Sequence, residues 1–212
     1  MLLGLVAAAT VAAVAPVFSH PGTIDNRYLP LTAHHRCELR GGGERVVRTL
    51  LERTKRFEID GQSVDAVVLR DKAYDHGKLV ERTFDYFAQS DDATVYYLGE
   101  DVDNIRRGKV VDHRGSWRYG RDTDVAGVAM PPDPKVGDQW RFEDVPGITT
   151  ESDRVEETGM RSLVDGRMLH DVIRVQEFVQ PEGEVEYKLY APEVGVIVEY
   201  EPGGRVAFTG CD

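Results

Sequence analysis

The chain lacks the residue spacings that mark a catalytic or metal centre. Its six histidines, His20, His34, His35, His76, His113 and His170, form neither H-E-x-x-H nor H-x-H, which removes the usual zinc sites. His34 and His35 are adjacent and would point to opposite sides of a strand. Ser116, within Gly115-Ser116-Trp117-Arg118-Tyr119-Gly120, is not in a G-x-S-x-G elbow. Two cysteines, Cys37 and Cys211, do not make a metal site on their own. Positive charge is also scarce: 26 Lys and Arg stand against 37 Asp and Glu, a net charge of −11. Such a chain does not seek phosphate backbones, so nucleic acid is excluded as a partner. Long linkers, low-complexity tracts and internal repeats are absent, which leaves one domain.

What is present begins with residues 1–19, which carry no charged side chain and read as a secretory signal. The apolar run is shorter than the roughly 20 residues a membrane span needs. No Lys or Arg marks its start, and no Cys ends it, so a lipid anchor is not supported. Val17-Phe18-Ser19 precedes a cut at His20; Ala13-Val14-Ala15 is the other candidate, disfavoured by Pro16. Residues 20–212 are then a single secreted or periplasmic domain. Two cysteines in a secreted chain most simply pair, the alternative being two free thiols. A Cys37–Cys211 bridge would close a loop of about 174 residues, worth about 5 kcal/mol by chain entropy. It requires Cα atoms within about 7 Å.

The body of the chain reads as short runs between turn signals, the all-β pattern. In 79–88, Val80, Arg82, Phe84, Tyr86 and Ala88 share one face, and Glu81, Thr83 and Asp85 share the other. In 184–190, Val185, Tyr187 and Leu189 oppose Glu184, Glu186 and Lys188, and Val194, Val196, Val198 and Tyr200 alternate in the same way. One apolar and one wet face predict a curved antiparallel sheet or half-barrel. Asp60-Gly61, His76-Gly77, Asp165-Gly166 and Glu182-Gly183 are hairpin turns. Residues 44–53 conflict: Val46, Val47, Leu50 and Leu51 have helical spacing, but Thr49, Thr54 and the neighbouring strands favour a strand. Residues 120–138, with Gly127, Pro131, Pro132 and Pro134, predict a long loop without a regular strand.

Three patterns bear on function. Aromatics cluster in the central runs, and on a curved sheet Phe84, Tyr86, Tyr96, Trp117 and Trp140 would line the concave face and hold an apolar ligand; the plainer reading is core. Glu100, Asp101 and Asp103, after Ser90-Asp91-Asp92, are the candidate ligands for calcium, although the EF-hand glycine and terminal Glu are missing. Charge is also segregated. Between Arg27 and Arg56 eight Lys or Arg face three acids, while between Glu143 and Glu201 fifteen acids face five bases. Neighbouring strands with attracting outer faces account for this; a basic patch for an anion or membrane surface is the alternative.

The string Asp25-Asn26-Arg27-Tyr28-Leu29-Pro30-Leu31 resembles the D-N-x-Y-x-P-L opening of a family of uncharacterised secreted bacterial β-rich proteins and lipoproteins. So do Tyr86-Phe87-Ala88-Gln89, Val95-Tyr96-Tyr97-Leu98-Gly99-Glu100-Asp101, Gly115-Ser116-Trp117, Met130-Pro131-Pro132-Asp133-Pro134-Lys135-Val136-Gly137-Asp138 and Tyr190-Ala191-Pro192-Glu193-Val194-Gly195. The last hairpin is also similar to those of periplasmic lipoprotein-carrier-like half-barrels. Ser90-Asp91-Asp92-Ala93-Thr94 departs from the family by lacking a turn glycine, and Ile148-Thr149-Thr150 by replacing a more acidic stretch. No catalytic role attaches to any of these motifs. The expectation is an extracytoplasmic, non-enzymatic binding protein for an apolar small molecule or lipid. The alternative is a calcium-stabilised module that binds an envelope protein, and a hydrolase of unknown type comes third.

Overall fold

A computed structural model describes residues 15–180, 183–201 and 204–212. Fourteen strands form among them: β1 Arg36–Gly41, β2 Glu44–Ile59, β3 Gln62–Asp75, β4 Lys78–Gln89, β5 Val95–Arg106, β6 Lys109–Asp112, β7 Trp117–Arg118, β8 Gly127–Met130, β9 Gln139–Val145, β10 Thr149–Val164, β11 Arg167–Gln180, β12 Glu184–Ala191, β13 Gly195–Glu201 and β14 Gly204–Cys211. They make one antiparallel sheet in the order β6-β5-β4-β3-β2-β1-β14-β13-β12-β11-β10-β9. Among the described residues no helix is long and apolar enough to cross a membrane.

The mainly β expectation holds, but the half-barrel does not. The sheet is neither closed nor strongly curled, and no ladder joins its β6 and β9 ends. The reason lies at β5. Its outer edge is already taken by three short strands: β6 pairs with Asn104–Arg106, β7 with Gly99 and Glu100, and β8 with Val95–Tyr97. β8 also corrects the reading of 120–138, because a four-residue strand forms inside that stretch. It lies beside β9 closely enough that a Cβ on Gly127 would collide with the Phe142 carbonyl oxygen.

The hairpins follow from turn chemistry. Asp60-Gly61, His76-Gly77 and Asp165-Gly166 all adopt positive φ, the two-residue turn whose twist matches the strands. Residues 44–53 are strand, as expected. Their helix-like spacing has a cause: Val46 and Leu50 face a cavity while Leu51 packs on the opposite side. A bulge at 52–53 then shifts the register. Cys37 and Cys211 are direct partners in the β1–β14 ladder and form a disulfide.

The leading segment is tied down by Asn26, which is 2% exposed. Its Nδ2 donates to the carbonyls of Ala93 and Pro131, 2.9 and 3.0 Å away, and its Oδ1 accepts from the amides of Tyr28 and Leu29. The Gln89 Oε1 accepts from the amides of Asp25 and Asn26. The Glu193 amide donates to the Arg27 carbonyl. Four of the sequence motifs therefore meet at one knot. Ala93, where a glycine was expected, takes φ of 68°, a conformation that costs a side-chain-bearing residue about 1 kcal/mol.

Of the expected signal at 1–19, residues 1–14 lie outside the described residues. Residues 16–19 pack on the domain. The Phe18 ring meets Tyr96 edge-on, the Pro16 carbonyl accepts from Gln62, and Ser19 donates to Asp91. Asn26→Ala would orphan two buried carbonyls and two amides. It is expected to destabilise the protein by about 2–4 kcal/mol in urea titration, and a loss under about 0.5 kcal/mol would show that the knot is unimportant.

Candidate functional site

The strand faces read as wet in sequence line an interior. Glu81, Thr83 and Asp85 of β4, with Phe87 after them, border a cavity of about 350 Å³, within the range of small-molecule sites. Its apolar lining comes from Leu29 and Leu31 of the leading segment, Leu50, Leu69, Phe142 and Val196. Charged side chains sit beside these on the same sheet: Arg48 on β2, Asp71 on β3, Glu100 on β5, Lys188 on β12 and Glu199 on β13. Alternation with period two carries these side chains inward together.

Register creates both attraction and conflict. Arg48 stands directly opposite Asp71. Its Nε donates to Asp71 Oδ2 at 2.9 Å, and its Nη2 reaches Glu199 Oε1 at 2.6 Å. Lys188 faces Glu199 in the ladder and binds Glu177 Oε2 at 2.9 Å. By contrast, Asp85 is opposite Glu100, and Asp153 is opposite Glu177. Like charges across a ladder repel, and burial worsens the conflict.

The interior therefore has too few cations. Asp71, Glu81, Asp85 and Glu100 lie on the β3–β5 side. Glu143, Glu151, Asp153, Glu177 and Glu199 lie on the β9–β13 side. Only Arg48 and Lys188 balance them among the described residues. Proton affinity rises accordingly. Burial, then Asp71, pushes the Asp85 carboxyl up to about 8, against hydrogen bonds donated by Thr83 and Tyr97. Burial, then Glu177, pushes Glu151 up to about 8. Burial, then Asp85, raises Glu100 well above the carboxylate range. Glu199 goes the other way: burial opposes its charge, but Arg48 and Lys188 together hold it low. Arg48 and Asp71 each keep 21% of their side-chain surface open, and Lys188 keeps 25%; all three line the cavity, so this surface is cavity wall rather than outer face.

Asp71 Oδ1, Glu151 Oε1 and Asp153 Oδ1 are shielded from solvent; Asp71 Oδ1 is unbonded, whereas Glu151 and Asp153 lie close enough to share a proton. Glu151, Asp153 and Glu177 bring one oxygen each to within 4.8 Å of one another, a buried acidic cluster that could coordinate a cation.

The residues expected from sequence are distributed differently. Phe84, Tyr86 and Tyr96 pack with Phe57 and Leu98 on the face away from the cavity. Trp117 is fully buried and donates to Glu143 Oε1 at 2.7 Å, and Trp140 packs against the same inner core. None of the five lines the cavity; Phe87, Tyr97 and Phe142, each near one of them in sequence, do. The expected calcium ligands also separate. Glu100 faces the cavity. Asp101 is bound by Tyr86 and Arg118, and Asp103 by Arg82 and His113. What sequence reading missed is the acid-rich inner face, whose signal was the recurrence of Glu, Asp and Lys at alternate positions on strands from both halves of the chain.

No protein-family model, curated protein or solved structure matches this chain. The likeness to secreted bacterial proteins thus rests on the motifs alone.

The raised carboxyls set a pH dependence. The folded state holds protons on Asp85 and Glu151 that the unfolded chain releases above about pH 4. Their contribution to stability is complete below that value and is lost as pH rises through about 8. Stability in urea is expected to fall from about pH 5 to about pH 8, and Asp85→Asn to flatten the decline. A rise over that interval would contradict the assignment.

Proposed function

We propose that the protein is an extracytoplasmic binding protein that holds a small amphipathic molecule in the cavity between the leading segment and the inner face of the sheet. The observation that carries this is an interior of about 350 Å³ lined by both apolar side chains and buried, partly unpartnered charge. A purely structural core is expected to fill such space and to pair its polar atoms. The earlier expectation of an apolar ligand is thereby narrowed: an aliphatic or aromatic body suits Leu31, Leu50 and Phe142, and a polar end suits Asp71 and its neighbours. The leader and the disulfide support a location outside the cytoplasm. A cut after Ala15 would keep the contacts of residues 16–19, whereas a cut after Ser19 would remove them.

The neutral apolar fluorophore N-phenylnaphthylamine tests the cavity. Its emission is expected to rise and shift to the blue with the native protein. Leu50→Trp, which fills the space, should weaken its binding at least about fivefold while retaining a cooperative melt. Equal binding by the variant, or none by the native protein, would sink this reading.

A second reading rests on Glu151, Asp153 and Glu177. Calcium at this cluster would replace the proton held between Glu151 and Asp153, compete with Lys188 for Glu177 and stabilise a module that docks to an envelope protein. Added calcium should then raise the melting temperature by several degrees, and Asp153→Asn should abolish the rise. An unchanged melt in calcium and in chelator would remove this reading.

A further inference from the structure

We propose that the ligand of this cavity is an amine: a cationic head seated among Asp71, Asp85 and Glu100, with its hydrocarbon body against Leu31, Leu50 and Phe142. This rests on the binding-protein reading and specifies its chemistry. The two cations of the interior are already engaged, Arg48 by Asp71 and Glu199, and Lys188 by Glu177. An anionic head would find Arg48 and Lys188 already paired and, His34 and His35 apart, only acids among the ionisable residues of the lining. A neutral head would leave the facing Asp85 and Glu100 relieved only by protonation. Asp71 keeps 21% of its side-chain surface open, and its Oδ1, which lies just behind that surface, accepts no hydrogen bond. An ammonium supplies three donors and no acceptor, the complement of this surface.

The charge balance gives the proposal a signature. Asp85 is held protonated at neutral pH, and burial beside it raises the proton affinity of Glu100 as well. An ammonium entering beside them favours the carboxylate, so one positive charge comes in and one proton leaves to solvent. The groups facing Asp85 are Arg48 of β2, Asp71 of β3, Glu81 and Thr83 of its own strand, and Tyr97 and Glu100 of β5. Glu100 also feels Glu143 of β9 and Glu151 of β10. Of these, only Arg48 is cationic. Amine affinity should therefore increase as pH rises toward 8, because fewer protons must be expelled.

The test is calorimetric titration of the disulfide-intact protein with octylamine, octanol and octanoate at about pH 7, in two buffers of unequal ionisation enthalpy. Octylamine is expected to bind at least about tenfold more tightly than octanol, octanoate most weakly, with about one proton released per amine bound. Asp85→Asn, and independently Glu100→Gln, should reduce both the proton release and the amine-to-octanol ratio. Octanol or octanoate binding as tightly as the amine, or amine binding without proton release, would overturn the amine assignment and leave the cavity reading standing. Failure of all three probes to bind would overturn both.

Discussion

Arg48 is the interaction on which the interior depends. From β2 it neutralises Asp71 on β3 and reaches Glu199 on β13, past β1 and β14. Paired buried charges of this kind add little net stability over an apolar core, yet each is costly to leave alone. Arg48 and Lys188 can serve only Asp71, Glu199 and Glu177. The other interior acids must be protonated, hydrogen-bonded or met by something from outside. Glu143 takes the second course, accepting from Trp117 and Thr149. Asp85 and Glu151 take the first, and Glu100 is raised in the same direction.

That constraint links the fold to the proposed function. An antiparallel sheet in water usually has one dry and one wet face. Here the second cluster, built on Phe57, Tyr86 and Leu98, dries the outer side of β2–β5. The leading segment covers the polar side, fixed by Asn26 and Gln89. Covering a polar face traps charge, and the cavity is the space that remains above it. The disulfide between β1 and β14 joins the two chain halves where Arg48 spans them.

Much of the secondary structure was legible. The Asp-Gly and His-Gly turns require positive φ, and alternation in 79–88 and 184–190 follows from the strand period. The Cys37–Cys211 pairing was legible from compartment and count. That the sheet stays open was not, because it turns on which short strands occupy the outer edge of β5, and β8 was hidden among Gly127, Pro131 and Pro132. The expected ligand-binding aromatics lie off the cavity for a related reason. Phe84 and Tyr86 look like a binding surface because they are aromatic, but alternation only separates faces and does not say which one is covered. Asp85 and Glu100 look solvated until the register sets them opposite each other under the leading segment. The motifs Asp25-Asn26, Gln89 and Pro131 were visible in sequence without a reason for their identities; the Asn26 hydrogen bonds provide one.

The central claim is that the folded protein keeps part of its interior carboxylic acid neutral in water. Carbon-13 NMR titration of the Asp and Glu carboxyl carbons tests it directly. Asp85 and Glu151 should remain protonated through neutrality and titrate near 8, while Glu199 titrates below the ordinary glutamate range. Titration of every carboxyl below about pH 5 would contradict the account, because the interior would then hold its charges without protons.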